Sequence, residues 1–412
     1  MQVVHGRCCG LDIHKKSVVA CVLLTNEQGQ VQREIRTFGT MTVDLLTLAD
    51  WLEHWEITHV AMESTGVYWR PVYNLLEDEI RTLVLVNPQH IKAVPGRKTD
   101  VKDAEWLADL LRHGLVQASF IPPAPIRELR ELTRHRKALV HQRTQEVNRL
   151  EKVLEGANIK LAAVATSMLG KSVRDMLEAL LAGEEDVTAM AALARGRMRA
   201  KLPALRQALT GRLQAYHHVL LRQILAHLDF LEAAIAQLEG EIEQRLRPYE
   251  DAVRLLQTIP GIKDITAATI VAELGVDMAQ FPSAKHLASW AAVCPGNKQS
   301  GGKRLSGKTR QGNAWLKAVL CEVAWANARH PASYIGAQFR RLTRRRGVYR
   351  ALIAVAHTLL VIIYHVLKTK QPYHELGADY FDKLDQASLE RHHVRRLEQL
   401  GYSVTLAPSS VV

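Results

Sequence analysis

The feature that most constrains the fold is a change of pattern along the chain, from alternating strands and helices to almost unbroken helix. Within the first hundred residues, three short β-rich runs are separated by polar turns, at Cys8–Ile13, Ser17–Leu24 and Val31–Phe38. A helical pattern, an apolar strand at His59–Met62, another helix and a last apolar strand at Thr82–Val86 follow. This order predicts a mixed α/β sheet domain at the start of the chain.

Proline residues mark where the alternation ends. Pro95-Gly96 breaks the chain before a helix that is predicted to begin near Asp100, and the run Pro122–Pro125 forms a stiff boundary. A long arginine-rich helix is predicted at Ile126–Leu154, and the chain stays helical to about residue 250. Three strands in a meander followed by strand–helix alternation are typical of an RNase H-like sheet. The predicted domains are an RNase H-like α/β domain at 1–122, a helical and coiled-coil region at 123–250, a mostly helical C-terminal domain at 251–370 and a polar tail at 371–412.

A heptad seam lies within the predicted helical middle. Its six apolar residues are separated by 4, 3, 4, 3 and 4 positions: Ile224, Leu228, Leu231, Ile235, Leu238 and Ile242. One interpretation is a helix packed inside its own domain, and the other is a coiled-coil arm that pairs with a second copy. We favour self-association as a homo-oligomer, with the choice between dimer and tetramer left open.

Positive charge is concentrated in one part of the chain. The formal net charge is +12, and the segment from Asn297 to Arg350 has 13 lysines and arginines against a single acid, Glu322. A localised basic region predicts a polyanionic partner such as double-stranded DNA, although a solvated helix face gives the same pattern. Within this segment a set of arginines recurs at helical spacing beside Tyr349, and we interpret it as a phosphate contact: Arg340, Arg341, Arg344, Arg345, Arg346 and Arg350.

Several classes of protein are disfavoured by composition. No stretch reaches the roughly 18 uninterrupted apolar residues of a membrane span, and the N-terminus has no apolar signal core. The five cysteines have no C-x-x-C spacing, so disulfides and zinc are not expected. We therefore expect a cytoplasmic protein without a membrane partner.

Four carboxylates occupy positions that suit a metal site. Asp12 ends the first predicted strand, Glu63 follows the strand His59–Met62, and Asp100 and Asp103 lie three residues apart at a helix start. Four acids converging in a dry interior repel one another, and divalent cations with oxygen ligands remove that cost. Two Mg²⁺ ions, with Mn²⁺ as a substitute, would stabilise both the attacking and the leaving oxygen of a phosphodiester displacement. The alternative is that these acids are ordinary turn and helix-capping residues.

Two further motifs have the chemistry of phosphate binding. Ser300 precedes Gly301-Gly302 on a loop whose backbone can approach a phosphate, with Lys298, Lys303 and Arg304 to hold its charge. A surface turn is the alternative, and a serine needs an activating base or metal to act as a nucleophile.

The second motif is Thr258–Ile262, which resembles a helix–hairpin–helix. Its turn at Pro260-Gly261 would present backbone N–H groups to a DNA phosphate without base specificity. Any pair of helices joined by Pro-Gly looks similar, so this signal is weak alone.

In this order the motifs resemble the DEDD transposases of the insertion-sequence 110/1111 family, over about residues 8 to 367. The resemblance is carried by Gly10-Leu11-Asp12-Ile13-His14-Lys15, Met62-Glu63-Ser64-Thr65-Gly66, Pro95–Ala104, Ile259-Pro260-Gly261, Cys294–Asn297, Ser300–Lys303 and Gly312-Asn313. One departure is Ala291-Ala292-Val293, where the family often has a glycine before the apolar residue.

The resemblance implies a RuvC-like, RNase H-fold domain whose metal-binding acids are Asp12, Glu63, Asp100 and Asp103. It implies that Ser300, in the C-terminal transposase domain, forms a transient covalent link to DNA in a site completed between subunits. It also implies a structured guide RNA encoded by the element, for which Arg127–Arg149 and the surface of the RuvC-like domain are candidate contacts.

Three functions fit these residues. The first, which the resemblance favours, is a recombinase that cuts and rejoins DNA strands with the four acids and Ser300. The second is a junction nuclease that hydrolyses DNA with water and does not need Ser300. The third is a nucleic-acid-binding protein without activity, in which the acids only cap helices.

Overall fold

The computed structural model describes residues 2–64, 66–87, 100–296, 298–309, 312–330, 332–384 and 386–406, with the backbone alone at 100–102, 298–300, 304–305 and 388–389. The chain forms two compact units, Met1–Ile121 and Pro122–Val412. The predicted break at Pro95-Gly96 lies outside the described residues.

A five-stranded sheet forms the centre of the first unit. Its strands are β1 (Arg7–Ile13), β2 (Ser17–Thr25), β3 (Val31–Gly39), β4 (His59–Glu63) and β5 (Thr82–Val86), in the spatial order β3-β2-β1-β4-β5. The first three strands are antiparallel, whereas β4 runs parallel to β1 and β5 runs parallel to β4. The predicted mixed α/β domain is confirmed.

Helices cover both faces of this sheet. One face packs on α1 (Thr42–His54) and α2 (Trp69–Leu76), and the other packs on α3 (Asp100–Arg112). Alternate residues of β1 divide between the two cores, since Leu11 is buried under α1 and α2 whereas Cys8 is buried under α3. Two hydrophobic layers on one sheet account for the near-continuous apolar runs of β1 and β2.

In the second unit two long helices, α4 (Ala124–Gly156) and α9 (Ala215–Leu246), pack along each other. The heptad seam of α9 is largely buried in this pairing: Leu231 and Ile235 form one apolar cluster with Leu139 of α4. The helix is therefore packed inside its own domain, the interpretation that the sequence analysis did not favour.

A small helical bundle joins the two long helices. It contains α5 (Leu161–Val164), α6 (Lys171–Leu181), α7 (Val187–Ala192) and α8 (Leu202–Leu209), and it shares one hydrophobic core with the adjoining ends of α4 and α9.

The C-terminal part of the unit is almost wholly helical around one apolar helix. Its elements are α10 (Glu250–Gln257), α11 (Asp264–Leu274), α12 (Ala284–Trp290), a hairpin of β6 (Lys298–Ser300) and β7 (Lys303–Ser306), α13 (Ala314–Ala328), α14 (Tyr334–Arg346) and α15 (Val348–Thr369). Helix α15 is long and apolar enough to cross a membrane by length and composition, and half of its most apolar window is buried. It packs against α10, α12, α13 and α14, as the core helix of this unit does.

Part of the predicted polar tail is packed on the second unit. After α15 the chain continues to α16 (Tyr380–Leu384) and α17 (Gln386–Gln399). The ring of Phe381 stacks on Tyr334 with centroids 5.1 Å apart, and Glu375 accepts a hydrogen bond of 2.7 Å from the backbone N–H of Tyr334. The sequence predicts only a polar tail here, because its anchors are single aromatic and acidic residues without periodicity.

Candidate active site

Two of the four predicted acids lie side by side on neighbouring parallel strands. Leu11 of β1 is in register with Met62 of β4, so the next residues along the two strands, Asp12 and Glu63, are adjacent. Leu11 and Met62 face the core under α1 and α2. Because side chains alternate along a strand, Asp12 and Glu63 point to the opposite face, the one that packs on α3.

The other two acids lie at the start of α3. Its buried face includes Ala104, Leu107 and Ala108. Asp103 is one turn before Leu107 and Asp100 is one turn before Ala104, so both positions continue the face that packs on the sheet. The Oδ1 atom of Asp103 is buried, whereas the side chain of Asp100 lies outside the described residues.

A glycine allows α3 to lie this close to β1. A Cβ atom at Gly10 would be 2.2 Å from the carbonyl oxygen of Ala104 and 2.5 Å from the backbone nitrogen of Ala108. Gly10 is two residues before Asp12 on the same strand face, and Ala104 is next to Asp103. The absence of a side chain at Gly10 therefore sets the distance between β1 and the first turns of α3.

The surroundings of Asp12 are partly desolvated. Its side chain is 15% exposed, and its Oδ2 atom lies 3.0 Å from Nε2 of His14. Glu63 is half-buried at the end of β4. Carboxylates at one sheet edge repel each other and lose hydration, and hard divalent cations relieve both costs. The oxygen-only donor set suits Mg²⁺ or Mn²⁺ and does not suit a softer metal.

Among the side chains that the structure describes, no group of three or more aspartate, glutamate, histidine or cysteine residues is assembled with metal-binding geometry. The predicted set of four includes Asp100, which is outside that description. The structure thus brings Asp12, Glu63 and the start of α3 to the same end of the neighbouring strands β1 and β4. Metal binding at this place stays a prediction.

Ser300 lies at the tip of the β6–β7 hairpin. It is in register with Lys303, and the two residues between them, Gly301 and Gly302, have positive φ angles of 54° and 73°. Two consecutive positive φ angles define a type I′ turn, which explains the Gly-Gly pair. Gly301, Gly302 and Lys303 are exposed, whereas the side chains of Lys298, Ser300 and Arg304 lie outside the described residues.

The base of this hairpin is held by several hydrogen bonds. Pro295 and Thr309 form an isolated bridge, the N–H of Gly296 donates to the carbonyl of Lys308 at 2.8 Å, and Lys317 Nζ donates to Thr309 Oγ1 at 2.7 Å. The hairpin is therefore an exposed tip on a fixed base.

A buried carboxylate that the sequence analysis missed lies next to that base. Glu273 of α11 has no exposed surface and accepts hydrogen bonds from Arg134 Nε at 2.7 Å, Arg134 Nη2 at 2.8 Å and Asn313 Nδ2 at 2.6 Å. Asn313 also caps α13 by accepting from the N–H of Leu316 at 3.0 Å. One acid thus joins α4, α11 and the chain that returns from the hairpin, and nothing in the local pattern of Ala272-Glu273-Leu274 indicates it.

The departure at Ala292 has a structural cost. Ala292 has a φ angle of 53°, in the left-handed region that favours glycine, and it is buried. A Cβ atom at Gly312 would lie 2.5 Å from the Ala292 methyl group, so Gly312 is needed where these two segments touch.

The predicted Pro260-Gly261 turn joins α10 to α11. Gly261 has a φ angle of 83°, and Asn327 of α13 donates to the carbonyl of Pro260 at 2.7 Å and to that of Val323 at 2.9 Å. The turn is therefore fixed against α13, with Gly261 exposed.

The predicted arginine contacts divide into two groups. Arg344 and Arg345 are exposed in the last turn of α14, where the helix dipole also favours cations. On α4, by contrast, Arg134 pairs with Glu273, Arg136 pairs with Glu239 and Arg149 pairs with Glu146. Much of the positive charge at Arg127–Arg149 is thus matched within the chain, which weakens the prediction that this helix contacts RNA.

Comparison with known proteins is consistent with these motifs. Residues 9–159 match a family model described as a transposase of the DEDD, IS110 type, and residues 253–340 match the model of the transposase IS116/IS110/IS902 family, together more than half of the chain. The transposase for insertion sequence element IS1111A of Coxiella burnetii is 26% identical over 71% of this chain and 73% of its own length. A probable family 20 transposase of Pseudomonas aeruginosa is 27% identical over 76% of this chain and 85% of its own. The pilin gene-inverting protein of Moraxella bovis is 23% identical over 88% of this chain and 96% of its own.

Proposed function

Since the chain belongs to the insertion-sequence 110/1111 family of transposases, we propose that it cuts and rejoins DNA strands at the ends of a mobile element. The finer assignment is a RuvC-like catalytic domain with a divalent metal site, and a serine nucleophile in the C-terminal domain. The observation that carries the proposal is that Asp12 and Glu63 end two neighbouring strands and point to the sheet face on which α3 packs, with Asp100 and Asp103 in the first turn of that helix. The strand order β3-β2-β1-β4-β5 supports an RNase H-like fold.

The four acids would hold Mg²⁺, or Mn²⁺ in its place. When bound, such ions supply charge stabilisation for the attacking and leaving oxygens of a phosphodiester displacement. The residues of the chain do the rest: Gly10 lets α3 approach, β1 and β4 hold Asp12 and Glu63 in register, and the α3 start supplies Asp100 and Asp103.

Ser300 would be the nucleophile. Its Oγ atom forms a bond to the scissile phosphorus, the bond from phosphorus to the sugar oxygen breaks, and the hydroxyl proton ends on the released sugar oxygen. The reverse step, with the sugar hydroxyl of a different strand, rejoins DNA and restores the serine. A phosphodiester is conserved throughout, so rejoining needs no external energy source.

The DNA phosphates would be held at three places. We assign them to the hairpin (Lys298, Gly301, Lys303 and Arg304), the turn at Pro260-Gly261 and the arginines Arg344 and Arg345. The exposed glycines of the hairpin allow close backbone approach, and the fixed turn presents a helix start. Double-stranded DNA is the implied substrate in the bacterial cytoplasm, without a membrane partner.

Two further parts of the proposal rest on the family alone. One is a structured guide RNA that selects the sites, and the other is a homo-oligomer in which a neighbouring subunit completes the site.

The experiment compares Ser300→Ala with Ser306→Ala, a control in the same hairpin whose hydroxyl accepts from the N–H of Lys308 at 3.2 Å. Purified proteins are incubated with radiolabelled element-end DNA and the co-purified RNA, with Mg²⁺, and covalent protein–DNA adducts are counted after denaturation. We expect adducts with the parent protein and Ser306→Ala, and none with Ser300→Ala. Cleavage by Ser300→Ala at the parent rate would instead identify a nuclease that uses water.

A further inference from the structure

Strand β3 is an open, regular edge of the sheet. It pairs with β2 on one side through nine consecutive residues without a bulge, and the described residues place no strand on its other side. Seven of its residues, Val31–Thr37, are exposed, because α1 and α3 leave this part of the sheet uncovered on both faces. Natural proteins usually protect such an edge with charged side chains, proline or bulges. Strand β3 has neither a proline nor a bulge, and its charged side chains are of both signs: Arg33, Glu34 and Arg36.

The sequence of β3 is complementary to itself. Antiparallel pairing of two identical strands about a two-fold axis places one residue opposite its own copy. The strand spans Val31–Gly39, so full overlap places Ile35 on that axis. Glu34 then lies opposite Arg36 of the other strand, and this pair occurs twice.

The neighbouring symmetric registers are unfavourable. Paired residues of two antiparallel strands point to the same face of the sheet, so the two-fold axis must pass through a residue and not between two residues. The register can therefore change only by moving the axis from one residue to another. An axis at Glu34 places two glutamates opposite each other, and an axis at Arg36 does the same with two arginines. Like charges directly opposite are destabilising, so the charges select the register with the greatest overlap.

The two faces of the strand fit the same arrangement. Glu34 is in register with Val22, which faces α1, so Glu34 and Arg36 lie on that face. Ile35 is in register with Cys21, which faces α3, and its side chain is 38% exposed. Pairing would bring two exposed isoleucines together on one face and the Glu–Arg pairs on the other.

Nucleic acid is a poorer occupant of this edge. The strand contains two arginines, of which Arg33 is already paired with Glu105 of α3, and Glu34 lies between them. A basic footprint is the main source of affinity for nucleic acid, and this edge lacks one.

From the open edge and the charge complementarity, we infer that β3 pairs with β3 of a second copy of this chain, to form one continuous sheet of ten strands across a two-fold axis. The contact is small, so the dimer it forms is weak and gains strength when other contacts join the same two copies. The inference does not depend on the catalytic assignment.

The test measures self-association of the full chain by sedimentation velocity, from about 1 to 100 µM. Glu34→Arg and Arg36→Glu each convert two opposite-charge pairs into two like-charge pairs, and we expect each to weaken the dimer about tenfold. The double variant Glu34→Arg/Arg36→Glu restores opposite charges, and we expect it to restore the dimer. Both residues are exposed. Arg36→Glu also removes the contact of the guanidinium with the ring of Phe38, 4.9 Å away, and Glu34→Arg, which leaves that contact in place, controls for this loss.

A cross-link tests the axis itself. Ile35→Cys places two thiols opposite each other, and mild oxidation is expected to give a disulfide-linked dimer. The control Thr37→Cys lies on the same strand face opposite Arg33, and we expect no cross-link from it. Equal self-association of the parent protein and the three charge variants, or no cross-link from Ile35→Cys, would overturn the inference. A double variant that stays as weak as the single ones would overturn it as well.

Discussion

Arg134 gives the sharpest test of how the second unit is held together. Its guanidinium donates two hydrogen bonds, of 2.7 and 2.8 Å, to Glu273, a carboxylate with no exposed surface. In Arg134→Met the carboxylate keeps the hydrogen bond from Asn313, and Arg130 Nε lies 3.4 Å from its Oε2 atom. Removing one partner of a buried ion pair costs about 3–5 kcal/mol, because the remaining charge is desolvated without compensation. Since Arg130 offsets part of that cost, we expect about 3 kcal/mol.

The assay is urea unfolding followed by circular dichroism. A loss of about 3 kcal/mol lowers the midpoint by about 0.5–1 M, because the slope grows with the surface exposed on unfolding and exceeds about 3 kcal/mol per M in a unit of this size. The control is Lys137→Met on the same helix, whose partner Glu322 is 60% exposed, and we expect a change within about 0.5 kcal/mol.

The double variant Arg134→Met/Glu273→Gln removes the buried charge as well. We expect it to be more stable than Arg134→Met alone, because the neutral amide costs less to bury. A loss below about 1 kcal/mol for Arg134→Met, or no recovery in the double variant, would refute the role assigned to this pair.

Three further predictions concern other parts of the chain. Gly10→Ala places a methyl group 2.2 Å from the Ala104 carbonyl, so we expect thermal unfolding to show a stability loss of about 1–3 kcal/mol, with a loss of activity as α3 moves away from Asp12. A fully active, fully stable variant would contradict the packing described for β1. At Ala292, whose φ is 53°, glycine relieves backbone strain but loses a buried methyl group, so we expect Ala292→Gly to change the free energy of unfolding by less than about 0.5 kcal/mol. We expect Ala292→Val to lower it by more than about 2 kcal/mol, and the reverse order would show that the backbone there is not left-handed. Burial, with the nearby His5 and Arg81, lowers the pKa of His59 below its usual 6.5, so the folded protein resists a proton that the unfolded chain accepts. The contribution of His59 to the free energy of unfolding is therefore complete above about pH 6.5 and declines as the pH falls through that value. We expect His59→Gln to flatten this part of the pH profile of stability.

Local patterns were sufficient to predict the elements of the first unit. Short β-rich or apolar runs bounded by turns predicted all five strands, and the positions of Asp12 and Glu63 at strand ends predicted that they would be adjacent. The long helix after Pro122–Pro125 was equally clear, because proline suits its first turn. These features depend on neighbours in sequence, which periodicity reports directly.

Features that depend on distant partners were missed or predicted wrongly. The heptad seam of α9 is apolar, as predicted, but such a seam can pack on a helix of the same chain or on a helix of a second chain. Only the three-dimensional structure shows that it packs on α4. In the sequence, Glu273 resembles an ordinary surface acid, and only the structure shows that Arg134, 139 positions away, donates a hydrogen bond to it. Two arginines of α4 likewise have acidic partners on other helices, and the assignment of this helix to RNA stays a prediction.

The most direct test of the metal site is Mn²⁺ binding measured by electron paramagnetic resonance. It compares the parent protein with Asp12→Asn and with the control Asp109→Asn, an acid of α3 that is 38% exposed and pairs with Arg112. We predict that Asp12→Asn weakens Mn²⁺ binding at least about tenfold, because it removes a charged oxygen ligand, and that Asp109→Asn leaves it unchanged. Equal Mn²⁺ affinity in the parent protein and Asp12→Asn would contradict a metal site at this edge of the sheet.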